Sequence, residues 1–303
     1  MATHEWLKGL FPPIATAFAG DGSLRPPADG FLEWLAQAGL DGVVALGSNG
    51  EAANLTEDER LECIRLVKAA LPSKLRLIAG TGAESTIATI ERTKAAADVG
   101  AEAALVIAPS YYRRHLTVDT LRRHYETVAG ASPIPVLIYN VPMHMGYDLG
   151  AEWIVQLAGH PNTVGLKDSS GDIGRLPQLR RQLRPGFIIL TGAGEKMLEA
   201  LTAGADGAIA ALANLAPASS AAIRDAWLGG NLEEARRLQG MIAPLGEALS
   251  RSYGLPGLKA GLRLLGYDHG DPRPPLAALD AANLEAVRRL LAEAQVLPRA
   301  LAS

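Results

Sequence analysis

Several features that would assign the sequence to a specialised class are scarce or missing. The 303 residues include a single cysteine, Cys63, so no disulfide can form within the chain and a reducing compartment is expected. Apolar residues recur around Cys63 at helical spacing, which predicts a thiol packed in the core. Lysine and arginine total 29 against 32 aspartate and glutamate residues, with no long basic run. Neither nucleic acid nor a membrane surface is therefore expected as a partner.

Long apolar runs are also missing. No stretch approaches the roughly 20 apolar residues that are needed to span a bilayer. The segment 1–11 lacks the basic region and the long apolar run of a signal peptide. We therefore expect a soluble, cytoplasmic protein.

The signatures of metal and nucleotide sites are weak. The six histidines show no metal-ligand spacing. No G-x-G-x-x-G turn follows the first predicted strand, and the glycine turn TGAGEKM that begins at Thr191 lacks the third glycine. The sequence therefore predicts neither a metal nor a nucleotide cofactor.

Short apolar runs alternate with longer helical patterns through most of the chain. Near-continuous apolar runs are typical of parallel strands that are covered on both faces. Eight repeats of this kind predict a TIM (β/α)₈ barrel, with a doubly wound sheet as the alternative. The predicted strands are 11–18, 41–47, 75–82, 103–109, 134–140, 164–170, 187–192 and 207–212.

Strand signals stop after about Asn231, and the remaining segments show helical periodicity. Pro/Gly-rich residues 266–276 separate the last two predicted helices. The sequence therefore predicts a barrel catalytic domain over 1–230 and a C-terminal helical extension over 231–303.

In a (β/α)₈ barrel, function lies at the carboxyl ends of the strands. Lys167 ends an apolar strand, where desolvation favours a neutral amine that can attack a ketone and form a Schiff base. Placement alone leaves open a rim lysine paired with Asp168. Lys196 is a competing lysine in a polar turn.

Two other strand ends could assist such a lysine. Tyr139 could donate and accept protons, although a strand tyrosine can equally be a packing residue. The small-residue turn 47–50 could bind a carboxylate through its backbone N–H groups, although such turns are commonly structural.

Together these residues resemble the pyruvate-dependent class I aldolases of the dihydrodipicolinate synthase/N-acetylneuraminate lyase family. The resemblance covers nearly the whole chain, and within the family it is strongest to the 4-hydroxy-2-oxoglutarate aldolases. The motifs that carry it, in order, are GSNGE, AGTG, APSYY, YNVP, GLKDSSGD, GAIAALAN and PGLK.

The resemblance implies a role for each residue of the predicted site. Lys167 would form the imine with pyruvate or a 2-oxo acid, and Tyr139 would relay protons to and from it. Ser48 and Asn49 would bind the carboxylate of pyruvate, and the Ser48 hydroxyl would link to Tyr139. No cofactor is implied beyond this covalent imine.

The resemblance also implies an assembly, usually a homotetramer built as a dimer of dimers. Tyr111 matches the family tyrosine that reaches into the neighbouring subunit's site, and Tyr112 is adjacent to it. Ile209 falls where the family places a backbone carbonyl near the imine.

One loop departs from the family pattern. The synthase has a carboxylate-binding arginine at the position of His144, and the family usually has a small hydroxyl residue at Met145. The expected reaction is reversible cleavage of a 4-hydroxy-2-oxo acid, 4-hydroxy-2-oxoglutarate being preferred, to pyruvate and glyoxylate. His144 is then a candidate substrate contact or simply a neutral loop histidine. The alternatives are 4-hydroxy-tetrahydrodipicolinate synthase, a sugar-acid aldolase or dehydratase, and a non-catalytic 2-oxo-acid sensor.

Overall fold

Seven parallel strands form the centre of the fold in a computed structural model that describes residues 4–297. They hydrogen-bond in chain order, β1-β2-β3-β4-β5-β6-β7. All six pairings are parallel. The strands are β1 (Gly42–Ala45), β2 (Arg76–Gly80), β3 (Ala103–Ile107), β4 (Val136–Asn140), β5 (Thr163–Asp168), β6 (Ile188–Thr191) and β7 (Gly207–Ala208).

Each strand is followed along the chain by at least one helix. The helices are α1 (Phe31–Gln37), α2 (Glu57–Ala70), α3 (Thr86–Asp98), α4 (Val118–Ala131), α5 (Pro142–Met145), α6 (Gly150–Leu157), α7 (Leu176–Gln182), α8 (Met197–Thr202), α9 (Pro217–Leu228), α10 (Leu232–Ala248), α11 (Gly254–Leu264) and α12 (Ala281–Glu293). Short 3₁₀ turns include Ser48–Gly50, Arg113–His115, Ile173–Arg175, Gly194–Lys196 and Ala211–Asn214.

The predicted parallel sheet is confirmed for the seven runs that begin at residue 41 and later. Every residue of β1, β4, β5 and β6 is buried, as expected for strands covered on both faces. The last run, 207–212, is strand only over β7, and a 3₁₀ turn follows it.

The first predicted strand, 11–18, is not a regular strand. It forms isolated parallel bridges instead, from Leu10 to Ala208 in β7 and from Pro13 to Val44 in β1. Pro12 and Pro13 have no N–H to donate, so this segment cannot complete a ladder. It nonetheless hydrogen-bonds to both edge strands of the sheet.

Local sequence signals account for the helix boundaries. The Thr56 hydroxyl accepts the Glu59 N–H while the Glu59 carboxylate accepts the Thr56 N–H, which forms a capping box at the start of α2. Gly100, with φ of +99°, lies just beyond the end of α3, at the C′ position that glycine favours.

The C-terminal helices α10, α11 and α12 follow the predicted pattern. Ile242 of α10 and Leu258 of α11 belong to the same hydrophobic cluster as Val43 of β1. The extension therefore shares a core with the sheet, and the boundary at residue 230 stays a prediction. None of the helices in residues 4–297 is long and apolar enough to cross a membrane.

Candidate active site

The register between β4 and β5 brings two predicted residues side by side. Tyr139 pairs with Lys167 at the carboxyl ends of the two strands. The Lys167 Nζ lies 4.1 Å from the centroid of the Tyr139 ring. Both residues are buried, with 4% and 5% of their surfaces exposed. A lysine amine that is largely removed from water is the setting that imine chemistry needs.

Ser48 joins the pair from the turn after β1. Its hydroxyl oxygen lies 3.2 Å from the Tyr139 hydroxyl oxygen, so the two groups can share a hydrogen bond. Asn49 is in the same 3₁₀ turn, and both turn residues are half-buried. Residues from three strand ends thus form one cluster around Lys167.

Close packing fixes the start of this turn. Leu46, the residue after β1, has φ of +57°, which a residue with a Cβ seldom adopts. A Cβ added to Gly80 would lie 2.0 Å from the Leu46 carbonyl oxygen, so only glycine allows this approach.

Ile209 lies at the same edge of the sheet. Its backbone N–H donates to the Thr191 carbonyl at 2.9 Å, directly after β7. Thr191 in turn pairs in register with Asp168, the residue after Lys167. Ile209 is therefore two strands away from Lys167, with its side chain buried.

Tyr111 is not part of this cluster within the chain. Its side chain is 76% exposed, and its ring packs edge-on against the 67%-exposed Tyr112. The Glu84 carboxylate accepts the Tyr111 N–H at 2.9 Å and fixes the backbone of the loop. Within residues 4–297 no hydrogen bond joins the Tyr111 hydroxyl to Ser48 or Tyr139, so its expected role in a neighbouring subunit's site stays a prediction.

His144 is on the short helix α5, which follows β4. It is exposed in the chain, yet desolvation by the surrounding protein lowers its pKa, and the charge on Lys167 lowers it further. His144 is therefore close enough to Lys167, the candidate nucleophile, for an electrostatic interaction between the two side chains. The lowered pKa favours the neutral imidazole, so His144 supplies no fixed positive charge.

Met145, at the position where the family usually has a small hydroxyl residue, is a buried packing residue. It is 1% exposed, and its sulfur accepts the Val141 N–H at 3.3 Å. The thioether therefore occupies the space beside the end of β4.

The sequence did not predict the ion-pair network behind Lys167. Successive residues of a strand point to opposite faces, so Asp168 points away from the Lys167 side of the sheet. Arg175 donates to both Asp168 carboxylate oxygens and, at 2.8 Å, to Asp148. Asn140 donates to Asp148 at 2.7 Å and to Asp168 at 2.9 Å. The alternative in which Lys167 pairs with Asp168 is therefore not what the structure shows.

No group of three or more His, Cys, Asp or Glu side chains within residues 4–297 is arranged to hold a metal ion. Lys196, the competing lysine, is half-buried at the end of the 3₁₀ turn after β6. The strongest cluster of reactive groups is therefore the one formed by Lys167, Tyr139 and Ser48.

Comparisons with known proteins bear on the family of the chain. The model of the dihydrodipicolinate synthetase family matches residues 6–294. The 4-hydroxy-tetrahydrodipicolinate synthase of Syntrophus aciditrophicus is 34% identical over 284 residues, which cover 94% of this chain and 97% of that protein. A protein of Emericella nidulans, named probable 4-hydroxy-2-oxoglutarate aldolase, mitochondrial, is 34% identical over 310 residues and 100% of both chains.

Solved structures give the same answer. The chloride-inhibited dihydrodipicolinate synthase of Acinetobacter baumannii, complexed with pyruvate, matches with a TM-score of 0.88 at 33% identity. The match covers 95% of this chain and 99% of that one. The chain therefore belongs to the dihydrodipicolinate synthetase family and is an enzyme of its pyruvate-dependent, lyase-type class.

Proposed function

We propose that the enzyme reversibly cleaves 4-hydroxy-2-oxoglutarate to pyruvate and glyoxylate through an imine on Lys167. The observation that carries the proposal is the buried Lys167 Nζ, 4.1 Å from the centre of the Tyr139 ring. The Tyr139 hydroxyl is in turn within hydrogen-bond reach of Ser48. These are the nucleophile and the proton relay that the reaction requires.

The Lys167 amine in its unprotonated form attacks the C2 carbonyl of the substrate; one proton from solvent, delivered through Tyr139, leaves with the C2 oxygen as water and gives a protonated imine. The C3–C4 bond then breaks, and its electron pair moves toward the imine to form an enamine. Tyr139 takes the proton of the C4 hydroxyl, which becomes the aldehyde of glyoxylate, and passes its own proton to Ser48, which in turn releases a proton to solvent. Return of a proton to C3 and hydrolysis release pyruvate and restore the amine.

The turn after β1 supports binding of the C1 carboxylate. The backbone N–H groups of Ser48 and Asn49 would hold it, and the Ile209 carbonyl would lie near the imine. Covalent attachment to lysine provides the electron acceptor, so the proposed reaction uses no cofactor.

Assembly and fold complete the proposal. We propose a closed (β/α)₈ barrel, supported by the hydrogen bonds of residues 9–14 to both β1 and β7. We also propose a cytoplasmic homotetramer in which Tyr111 of one subunit completes the relay of another. The high exposure of Tyr111 is compatible with a place between subunits.

The choice of glyoxylate rests on the loop after β4. A neutral histidine cannot reproduce the bidentate grip of a guanidinium on the carboxylate of aspartate semialdehyde. The match to the Emericella protein over its full length also supports the aldolase. The synthase and a sugar-acid aldolase or dehydratase are the alternatives.

Borohydride reduction in the presence of pyruvate tests the imine. The wild type is expected to gain a reduced pyruvyl group on Lys167, located by peptide mass spectrometry. The Lys167→Met variant should gain none, whereas Lys196→Met should react like the wild type. An adduct at Lys196 alone, or none, would refute the assignment.

A panel of aldehydes offered with pyruvate tests the substrate. We expect kcat/KM for glyoxylate to exceed that for aspartate semialdehyde by at least about tenfold, which is ~1.4 kcal/mol in barrier. The His144→Arg variant should shift the ratio toward aspartate semialdehyde because it restores the guanidinium. A wild type that prefers aspartate semialdehyde would identify the enzyme as the synthase. A preference for a sugar-derived aldehyde would favour a sugar-acid aldolase or dehydratase.

A further inference from the structure

Glu51 ends the turn that we propose binds the substrate carboxylate. Its backbone φ is +53°, in the left-handed region that residues other than glycine seldom adopt. Leu46, just before the turn, has the same kind of backbone conformation. The Glu51 side chain is fully buried. One carboxylate oxygen accepts the backbone N–H of Arg273 at 2.8 Å. Something beyond local preference must therefore hold this residue in place.

The other carboxylate oxygen of Glu51 meets a buried lysine from the C-terminal extension. The Lys259 Nζ, on α11, lies 2.7 Å from this oxygen, and the lysine side chain is 2% exposed. Nζ also donates to the Asp271 carbonyl at 3.1 Å and lies 4.4 Å from the centre of the Phe18 ring. Three protein groups therefore surround the ammonium group: the Glu51 carboxylate, the Asp271 carbonyl and the Phe18 ring.

We infer that Lys259 is a positioning residue for the substrate carboxylate: its ion pair with Glu51 holds the turn Ser48–Gly50 in its binding conformation. The inference rests on the proposed function, because it concerns the carboxylate site of that reaction. It gives the C-terminal extension a role in binding as well as in the core.

Geometry explains why the pair can act at a distance from the substrate. The Gly80 contact fixes the turn at Leu46, and the Lys259 contact fixes it at Glu51. The backbone N–H groups of Ser48 and Asn49 lie between these two anchors.

The ion pair between Lys259 and Glu51 is not explained by stability alone. A buried ion pair is often no more stabilising than an apolar pair of the same size. Burial lowers the pKa of Lys259, and Glu51 opposes that shift. The ammonium and the carboxylate therefore depend on each other, and the geometry of the turn depends on both.

Replacing Lys259 with methionine tests the inference through a split between KM and kcat. The pyruvate concentration that gives half-maximal borohydride trapping should rise by at least about tenfold in Lys259→Met, with a smaller fall in kcat. Arg237→Met, on α10 of the same extension, is the matched control. It breaks the exposed pair of Arg237 with Glu234 and should leave both parameters unchanged.

Hydrogen exchange gives a second readout that does not depend on activity. Amides of the peptide that covers residues 46–52 should exchange about tenfold faster in Lys259→Met than in wild type or Arg237→Met. Glu51→Gln keeps the shape of the side chain and should show the same change if Lys259→Met folds poorly. Unchanged exchange in this peptide would overturn the inference even if trapping at Lys167 succeeds. Absence of trapping in wild type with faster exchange in the variant would instead refute the proposed function and retain the positioning contact.

Discussion

The Tyr139→Phe enzyme is expected to lose kcat by about 10²–10⁴-fold, the usual range for a lost acid–base group. The variant keeps the aromatic ring beneath the Lys167 Nζ but removes the hydroxyl that lies 3.2 Å from Ser48. Borohydride trapping with pyruvate should therefore fall much less than turnover. Rapid-mixing assays of cleavage and trapping on the same preparation provide the comparison.

Tyr267→Phe is the matched control for this variant. Tyr267 is half-buried beyond the end of α11, and its ring stacks on Trp34 of α1 with 4.9 Å between the ring centroids. Removing its hydroxyl should leave both trapping and kcat unchanged. Equal losses of trapping and turnover in Tyr139→Phe would identify Tyr139 as a structural residue rather than a proton relay.

The sheet and the central pair could be predicted because both follow from local pattern. Continuous apolar runs indicate buried parallel strands, and polar residues that end neighbouring strands must meet at one edge. Lys167 and Tyr139 lie near the ends of consecutive strands, so their closeness follows from that order, whereas their pairing in register is seen only in the structure. The first strand was the exception, since Pro12 and Pro13 interrupt its ladder.

The residues that support the site could not be predicted from the same pattern. Arg175 reaches Asp168 from a separate 3₁₀ turn, and Glu51 meets Arg273 from 222 residues away along the chain. Such contacts depend on how loops pack and leave no periodic signal. Alternation along β5 could have indicated that Asp168 faces away from Lys167 and needs its own cation.

Removing Arg175 should have a large effect on the free energy of unfolding. Arg175→Met leaves the Asp168 carboxylate, 5% exposed, without its cation, and Asp148 remains beside the same Asn140. Breaking a buried ion pair from one side typically costs about 3–5 kcal/mol, because the remaining charge stays out of water. Denaturant titration of the free energy of unfolding measures the loss.

Two further variants separate this cause from a general loss of packing. Arg122→Met removes an arginine from α4 whose pairs with Glu126 and Asp119 are partly exposed, and it should cost no more than about 1 kcal/mol. Asp168→Asn combined with Arg175→Met removes the buried unpaired charge and should recover part of the loss, since Asp148, the carboxylate that still lacks its arginine, is 44% exposed. If the double variant is no more stable than Arg175→Met, the arginine acts through packing of its side chain. Recovery would instead show that the charge on Asp168, one residue from the nucleophile, is what Arg175 neutralises.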